Sequence, residues 1–303
     1  MTELDLYRCI NCGNDQLKFN ESKSLCCEAC NSEFYFNKNG NFYSFFRKDE
    51  NKDDEFLKKI NLEDLESADL NAANSQVRLH SEDIYTKSGY AKNLVEEFNL
   101  KENSFILDHG CGRGHFSEFF SEKGHKVVSA DILEVNFLNF ESAHKAACNL
   151  QLIPFKDNSF DAVLSLDVFE HLQPDSMKEV ISEIYRVLKP GGKLLISFPG
   201  NRIPDFVGNH LINLFVFFFR LFGSNYPYMV SNKTCEAHIN LNTPYYFKKA
   251  FRRVGFEGNI KPFTNKYLTL PKKLVFLAKI LNFPLIAPFF IHTMHGLLKK
   301  PIS

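Results

Sequence analysis

The chain has 303 residues, 44% of them hydrophobic, and balances 36 Lys or Arg with 36 Asp or Glu. That length and composition allow one large domain with a proper core plus a small appendage, and neither an internal repeat nor a low-complexity segment interrupts it. The neutral total conceals a split: residues 201–303 carry 14 basic against 3 acidic side chains, leaving 22 against 33 for residues 1–200, so an anionic partner surface is expected at one end.

Residues 1–7 hold acids and no apolar run of the signal-peptide kind, so export is not expected. Next come Cys9-x2-Cys12, fourteen residues, and Cys27-x2-Cys30. At this spacing two knuckles fold over one tetrahedral zinc, and four sulfurs close its shell, which marks a structural rather than a catalytic metal. Cys26 stands beside Cys27 and leaves the register of the second knuckle open, while a pair of disulfides would require an oxidising compartment. Cys111, Cys148 and Cys235 read as small buried or half-buried thiols. With Leu25 and Phe34-Tyr35-Phe36, residues 1–46 resemble the zinc-ribbon module of the small activator protein that partners tRNA and translation-factor methyltransferases. Residues 47–87, rich in both charges at first, are expected as a linker and a segment folding over a bound ligand.

A helix over 88–98 is expected to open the main domain. The strand Phe105-Ile106-Leu107 then ends in Asp108, and Gly110, Gly112 and Gly114 follow at alternate positions. Glycines let the backbone turn sharply off a strand and approach a ligand closely, with the next helix offering its N-terminus. Asp131, 21 residues past Gly110 and closing a second apolar run, is where a nucleoside-binding βαβ unit grips ribose hydroxyls. Downstream lie Gln151-Leu152-Ile153-Pro154-Phe155, the strand Ala162 to Ser165, Asp167-Val168-Phe169-Glu170-His171, an amphipathic helix from Met177 to Leu188, the turn Lys189-Pro190-Gly191-Gly192 and a strand from Lys193 to Phe198.

This order resembles the class I S-adenosylmethionine-dependent methyltransferases, in particular the subgroup with ubiquinone and menaquinone pathway enzymes. A nicotinamide-binding Rossmann domain would instead want G-x-G-x-x-G, where this turn reads G-x-G-x-G. The resemblance implies an α/β fold: a Rossmann-like doubly wound methyltransferase sheet at 88–264, with the N-terminal zinc ribbon, a helical apolar insertion at 200–240 and a basic, apolar tail at 265–303. It also implies that Asp108, Gly110, Gly112 and Gly114 hold the methionine part of S-adenosylmethionine and that Asp131 takes both ribose hydroxyls. In relatives an Asp contacts the adenine amino group. The aligned residue here is Asn149, whose amide oxygen can accept the same bond but which also reads as an ordinary loop residue. His171, following the fourth strand at the methyl end, is the first candidate base, and His238 the second. A structural histidine is the alternative for either, and His109 and His115 read as packing or capping residues. A Glu-His pair like Glu170-His171 helps bind a divalent cation in some quinone O-methyltransferases, but two ligands do not make a metal site.

Two apolar runs mark the basic third: Leu211 to Phe219, and Leu274 to Ile291 with its Pro284 and Pro288. The first is too short and the second too broken to span a bilayer, so they read as interfacial segments or as a buried lid or dimer contact. Phe247, Ala250, Phe251 and Val254 recur at helical spacing, a core stripe under a solvated basic face rather than an RNA-stacking surface. The expected function is cytoplasmic methyl transfer to a lipophilic or lipid-linked small molecule, such as a quinone intermediate, polyprenyl-linked sugar or glycolipid, with peripheral contact at the anionic inner membrane face. RNA base methylation is the alternative, opposed by 6 basic against 8 acidic residues in 1–50. A non-catalytic cofactor-binding adaptor is a third.

Overall fold

Short cysteine-bearing strands at the N-terminus and long apolar strands further on meet in a single sheet. The computed structural model describes residues 3–46, 97–138, 144–199, 214, 217, 240, 244–262 and 293–302. In chain order the strands are β1 (Leu17–Phe19), β2 (Leu25–Cys27), β3 (Glu33–Asn37), β4 (Phe42–Ser44), β5 (Phe105–His109), β6 (Lys126–Asp131), β7 (His144–Ala147), β8 (Phe160–Leu166), β9 (Leu188–Pro199), β10 (Glu257–Pro262) and β11 (Thr293–Lys299). Among the described residues they are accompanied by helices α1 (His115–Glu122), α2 (Met177–Val187) and α3 (Pro244–Val254). The strand order is β1-β2-β3-β4-β7-β6-β5-β8-β9-β11-β10. From β5 the chain builds outward to β6 and β7, then returns to lay β8 and β9 on the other side. Such a reversal opens a crevice beyond the carboxyl ends of the two central strands, where ligands of open α/β sheets bind.

Alternation along the parallel strands sorts their side chains onto two faces. Ile106, Val127, Ala162, Leu164 and Leu195 pack with Phe98 and with Phe120 of α1. Their neighbours Leu107, Val128, Val163, Leu194 and Ile196 join the main core, which includes α2 and α3. Helix α2 buries Met177, Val180, Ile181, Ile184 and Val187, a stripe at helical spacing. Strand β9 begins at Leu188 and not after the Lys189–Gly192 turn, because Leu188 pairs with Phe160 across an irregularity in the register. On α3, Phe247 and Phe251 are fully buried while Lys249, Arg252 and Arg253 are exposed, the expected stripe under a basic face.

Two expectations are corrected. The ribbon is not an appendage: β4 pairs in parallel with β7, Tyr43 opposite Ala146 and Ser44 opposite Ala147, and Phe45 N–H donates to Ala147 O at 2.8 Å. Tyr7 packs on Phe45 and Phe155 with ring centroids 5.2 and 5.7 Å apart, merging the ribbon's core with that of the main sheet. Each such ring pair contributes about 0.5–1.5 kcal/mol beyond its buried area. Nor is 265–303 wholly a tail. Thr293–Lys299 form β11, antiparallel to both β9 and β10, and close approach explains Gly296: a Cβ there would stand 2.9 Å from the side chains of Ile196 and Ile260. The linker at 47–87, the 88–98 helix before Glu97, the 200–240 insertion apart from Leu214, Phe217 and Asn240, and Leu274 to Ile291 lie outside the described residues. Among the described residues no helix is long and apolar enough to cross a membrane.

Candidate functional site

The turn between β5 and α1 sits at the crevice. Gly110, Gly112 and Gly114 all have positive φ, at 74°, 50° and 76°. At Gly110 a side chain would be excluded twice, by this left-handed backbone and by collision of a Cβ with Val168 Cγ2 in the turn after β8. A Cβ on Gly112 would instead point into open space. The turn is fastened beneath by Gly110 and Cys111 N–H, which both donate to Ala130 O at 2.8 and 3.0 Å.

Asp131 ends β6 directly beside this turn. Its Oδ2 accepts Gly112 N–H at 2.8 Å, and its Oδ1 accepts Leu133 N–H at 2.9 Å and Asn136 Nδ2 at 3.3 Å. The carboxylate is therefore fixed in orientation while retaining lone-pair capacity. Asp108 is placed differently. It accepts Ser117 Oγ of α1 at 2.6 Å, and that hydroxyl lies 2.7 Å from Ser129 Oγ of β6. This network braces the start of α1 against β5 and β6. Burial, with help from the charge of Asp131, pushes the Asp108 carboxyl up to about 7.

Across the crevice, β8 runs into a 3₁₀ turn at Phe169–His171. Asp167, at its entrance, is exposed, adopts φ 54° and accepts Ser197 Oγ at 2.9 Å. Glu170 is only 2% exposed, and its Oε2 has no hydrogen-bond partner. Burial, then the nearby Asp167, pushes its carboxyl up to about 9. Asn240 seals this turn, its N–H donating to Glu170 O at 2.9 Å and its Nδ2 to Phe169 O at 3.2 Å. His171 closes the turn, half-buried, with its N–H donating to Val168 O at 3.0 Å. His238 lies outside the described residues.

Asn149 Oδ1 accepts Gln151 N–H at 2.9 Å, an Asx turn that organises its own loop. His109 is buried between Ser165 Oγ and Leu150 O, and burial lowers it to about 4, a neutral packing residue. The sequence does not mark Asp167 or Ser117 as site residues and offers Glu170 only as half of a Glu-His pair; the available signal for the two acids is their closeness, within four residues after an apolar strand.

The ribbon cysteines converge separately. Sγ atoms of Cys9, Cys12, Cys27 and Cys30 all lie within 4.8 Å of one another, with Cys9–Cys30 at 3.5 Å and Cys12–Cys27 at 3.6 Å. A tetrahedral four-thiolate zinc has S···S edges of about 3.8 Å, so the set fits one such ion. The two knuckles repeat one design. Cys9 N–H donates to Asn14 O and Gly13 N–H to Cys9 O; Cys27 N–H donates to Ser32 O and Asn31 N–H to Cys27 O. Gly13 and Asn31 are the left-handed residues at the equivalent step. Cys26, half-buried on β2 opposite Lys18 and Glu33, is not in the cluster, which settles the register on Cys27.

Residues 107–196 match the family model described as a methyltransferase domain. Phosphoethanolamine N-methyltransferase 1 of Arabidopsis thaliana is 35% identical over 115 residues, 35% of this chain and 23% of that one. Malonyl-[acyl-carrier protein] O-methyltransferase of Hamiltonella defensa is 29% identical over 152 residues, 47% of this chain and 54% of that one. The chain thus spans about half the length of its curated relatives or less. In fold it is similar to a chain from the complex of the Haloferax volcanii Trm112 methyltransferase activator with a methyltransferase, at a TM-score of 0.51 and 17% identity, covering 77% of this chain and 97% of that one. Residues 107–196 are thus similar to a methyltransferase domain, and they hold the glycine turn, Asp108 and Asp131 described above.

Proposed function

We propose that this protein transfers a methyl group from S-adenosylmethionine to a lipophilic or lipid-linked small molecule, and that its ribbon holds one structural zinc. One observation carries the reading: three left-handed glycines shape a turn with open space beyond Gly112, whose N–H is held by Asp131, at the reversal point of the sheet. Asp131 would take the ribose hydroxyls, and the glycine turn the methionine portion. Bound S-adenosylmethionine supplies an electrophilic methyl for in-line attack by an acceptor oxygen, nitrogen or carbon. Holding the acceptor in line contributes on the order of 7–11 kcal/mol. His171 would take a proton from an acceptor that carries one, with Asp167 and Glu170 setting the charge of that wall.

Support for a lipophilic acceptor comes from the basic, Phe-rich third. Leu214 and Phe217, both helical, are 51% and 47% exposed, and Tyr245 on α3 is 74% exposed beside exposed Lys249, Arg252 and Arg253. The relatives' acceptors, phosphoethanolamine and malonyl-[acyl-carrier protein], are small groups rather than nucleic-acid bases.

Mass spectrometry of lipid and RNA fractions from cells with and without the gene tests the acceptor class: a lipid-fraction species displaced by one methyl is expected, whereas displaced RNA nucleosides would contradict it. Sedimentation with anionic vesicles that weakens as salt rises is the corresponding binding result. Elemental analysis should find one zinc per chain, lost in a Cys12→Ser, Cys30→Ser double variant.

A further inference from the structure

Two hydroxyls of the ribbon converge on one carboxylate oxygen in the main domain. Tyr35 on β3 and Ser44 on β4 are direct cross-strand partners, and each donates to Glu134 Oε1 at 2.6 Å. These are short bonds of the charge-assisted kind, roughly twice as strong as neutral ones. Glu134 opens the 3₁₀ turn Glu134–Leu138, three residues beyond Asp131. The far end of that turn is held as well: Phe42 of β4 packs on Phe137 with centroids 5.1 Å apart, in one cluster with Cys111 of the glycine turn, and Lys145 Nζ donates to Phe137 O at 3.0 Å.

The turn so clamped governs Asp131. Asn136, one of its residues, and Leu133, which immediately precedes it, both donate to Asp131 Oδ1. The Oδ2 bond from Gly112 N–H comes from the glycine turn. If the turn drifts, Oδ1 loses these two bonds and the carboxylate is held less firmly.

We propose that Glu134 is a positioning residue through which Tyr35 and Ser44 of the ribbon fix the Asp131 carboxylate for the cofactor's ribose. This rests on the S-adenosylmethionine reading above. The ribbon is then a working part of the cofactor site, and its attachment elsewhere has a different consequence. Arg8 Nη1 pairs with Asp157 Oδ1 at 3.2 Å, and Asp157 also pairs with Arg186 at 2.8 Å, a junction made with the loop before β8 and with α2.

Calorimetric titration of the full-length chain with S-adenosylhomocysteine, paired with thermal melting, separates these consequences. Tyr35→Phe, Ser44→Ala should weaken binding roughly tenfold or more, the loss of about one charge-assisted hydrogen bond. Glu134→Gln keeps an acceptor oxygen for both hydroxyls and should bind within about threefold of wild type, whereas Glu134→Ala should match the double variant. Arg8→Ala should lower the melting midpoint and leave affinity unchanged. Wild-type affinity in the folded double variant, or an equal loss in Arg8→Ala, would overturn the proposal. Should the double variant not fold, Ser44→Ala alone is expected to lose affinity several-fold, and unchanged affinity there overturns it equally. Failure of the wild type to bind would sink the cofactor reading instead. In that case amide exchange in the ligand-free chain decides the positioning claim: Gly112 and Leu133 should exchange faster in the variant, and unchanged rates refute it.

Discussion

Asp131, at the end of β6, is 7% exposed and accepts three hydrogen bonds, while Glu170, just past β8, is 2% exposed with an Oε2 that accepts none. The two acids lie at the ends of strands on either side of β5, in opposite conditions. Donors favour the ionised form of a buried carboxyl and burial without donors favours the protonated one. The β6 side is thus built as a fixed acceptor for hydroxyls. The β8 side buries a carboxyl that burial and Asp167 push towards its protonated form, and the left-handed backbone of the non-glycine Asp167 lies on that same side.

Gly110 joins the two sides, since its missing Cβ lets Val168 close over the turn. Gly110→Ala should therefore have the largest effect, disabling both sides together. Left-handed strain alone costs roughly 1–3 kcal/mol, and calorimetry should show no measurable cofactor binding even if circular dichroism shows a folded chain. His171→Ala tests the β8 side by itself: turnover should fall about 10²-fold with cofactor affinity nearly unchanged, as for a group acting only in the transition state. Near-normal turnover would mean an acceptor that needs no base.

Glu170→Gln sharpens the contrast through pH. With the carboxyl raised from 4.5 to about 9, the folded state binds a proton that the unfolded state has released, so its contribution to stability is full below about 4.5 and is lost as pH rises towards 9. The neutral variant should accordingly melt near the wild type at pH 5 and a few degrees above it at pH 9, about 1 kcal/mol being worth roughly 2–4 °C in a chain of this size. A constant difference across that range would show an ordinarily ionised Glu170. Asn149→Ala should matter least. Its side-chain oxygen is committed to Gln151 N–H, so cofactor affinity should change by less than about threefold, the scale of one neutral hydrogen bond.

The parts of the molecule legible in sequence are those whose determinants are local. Two Cys-x2-Cys pairs, alternate glycines after an apolar strand, and the stripes of α2 and α3 each announce themselves within a dozen residues. What stayed hidden depends on pairing across long separations. Strand β11 reads as part of a basic tail because Thr-Met-His-Gly-Leu-Leu-Lys has no strong alternation; its place comes from lying antiparallel between β9 and β10. The ribbon's union with β7 joins residues about a hundred positions apart through two register pairs and an aromatic seam. Glu134 gave no signal for the same reason, because its meaning lies in hydroxyls from β3 and β4. Glu170 was visible as part of a motif, but the absence of a partner for its oxygen emerges only from packing.

The most direct test is calorimetric titration of S-adenosylmethionine into the wild type and Asp131→Ala, with melting curves to establish that both are folded. Ribose hydroxyls held by this carboxylate contribute roughly 1.5–3 kcal/mol for each charged hydrogen bond, so the wild type should bind and the variant should lose at least about tenfold in affinity. Equal affinity in the two proteins, or no binding by the folded wild type, would contradict the assignment of the glycine turn and Asp131 as the cofactor site.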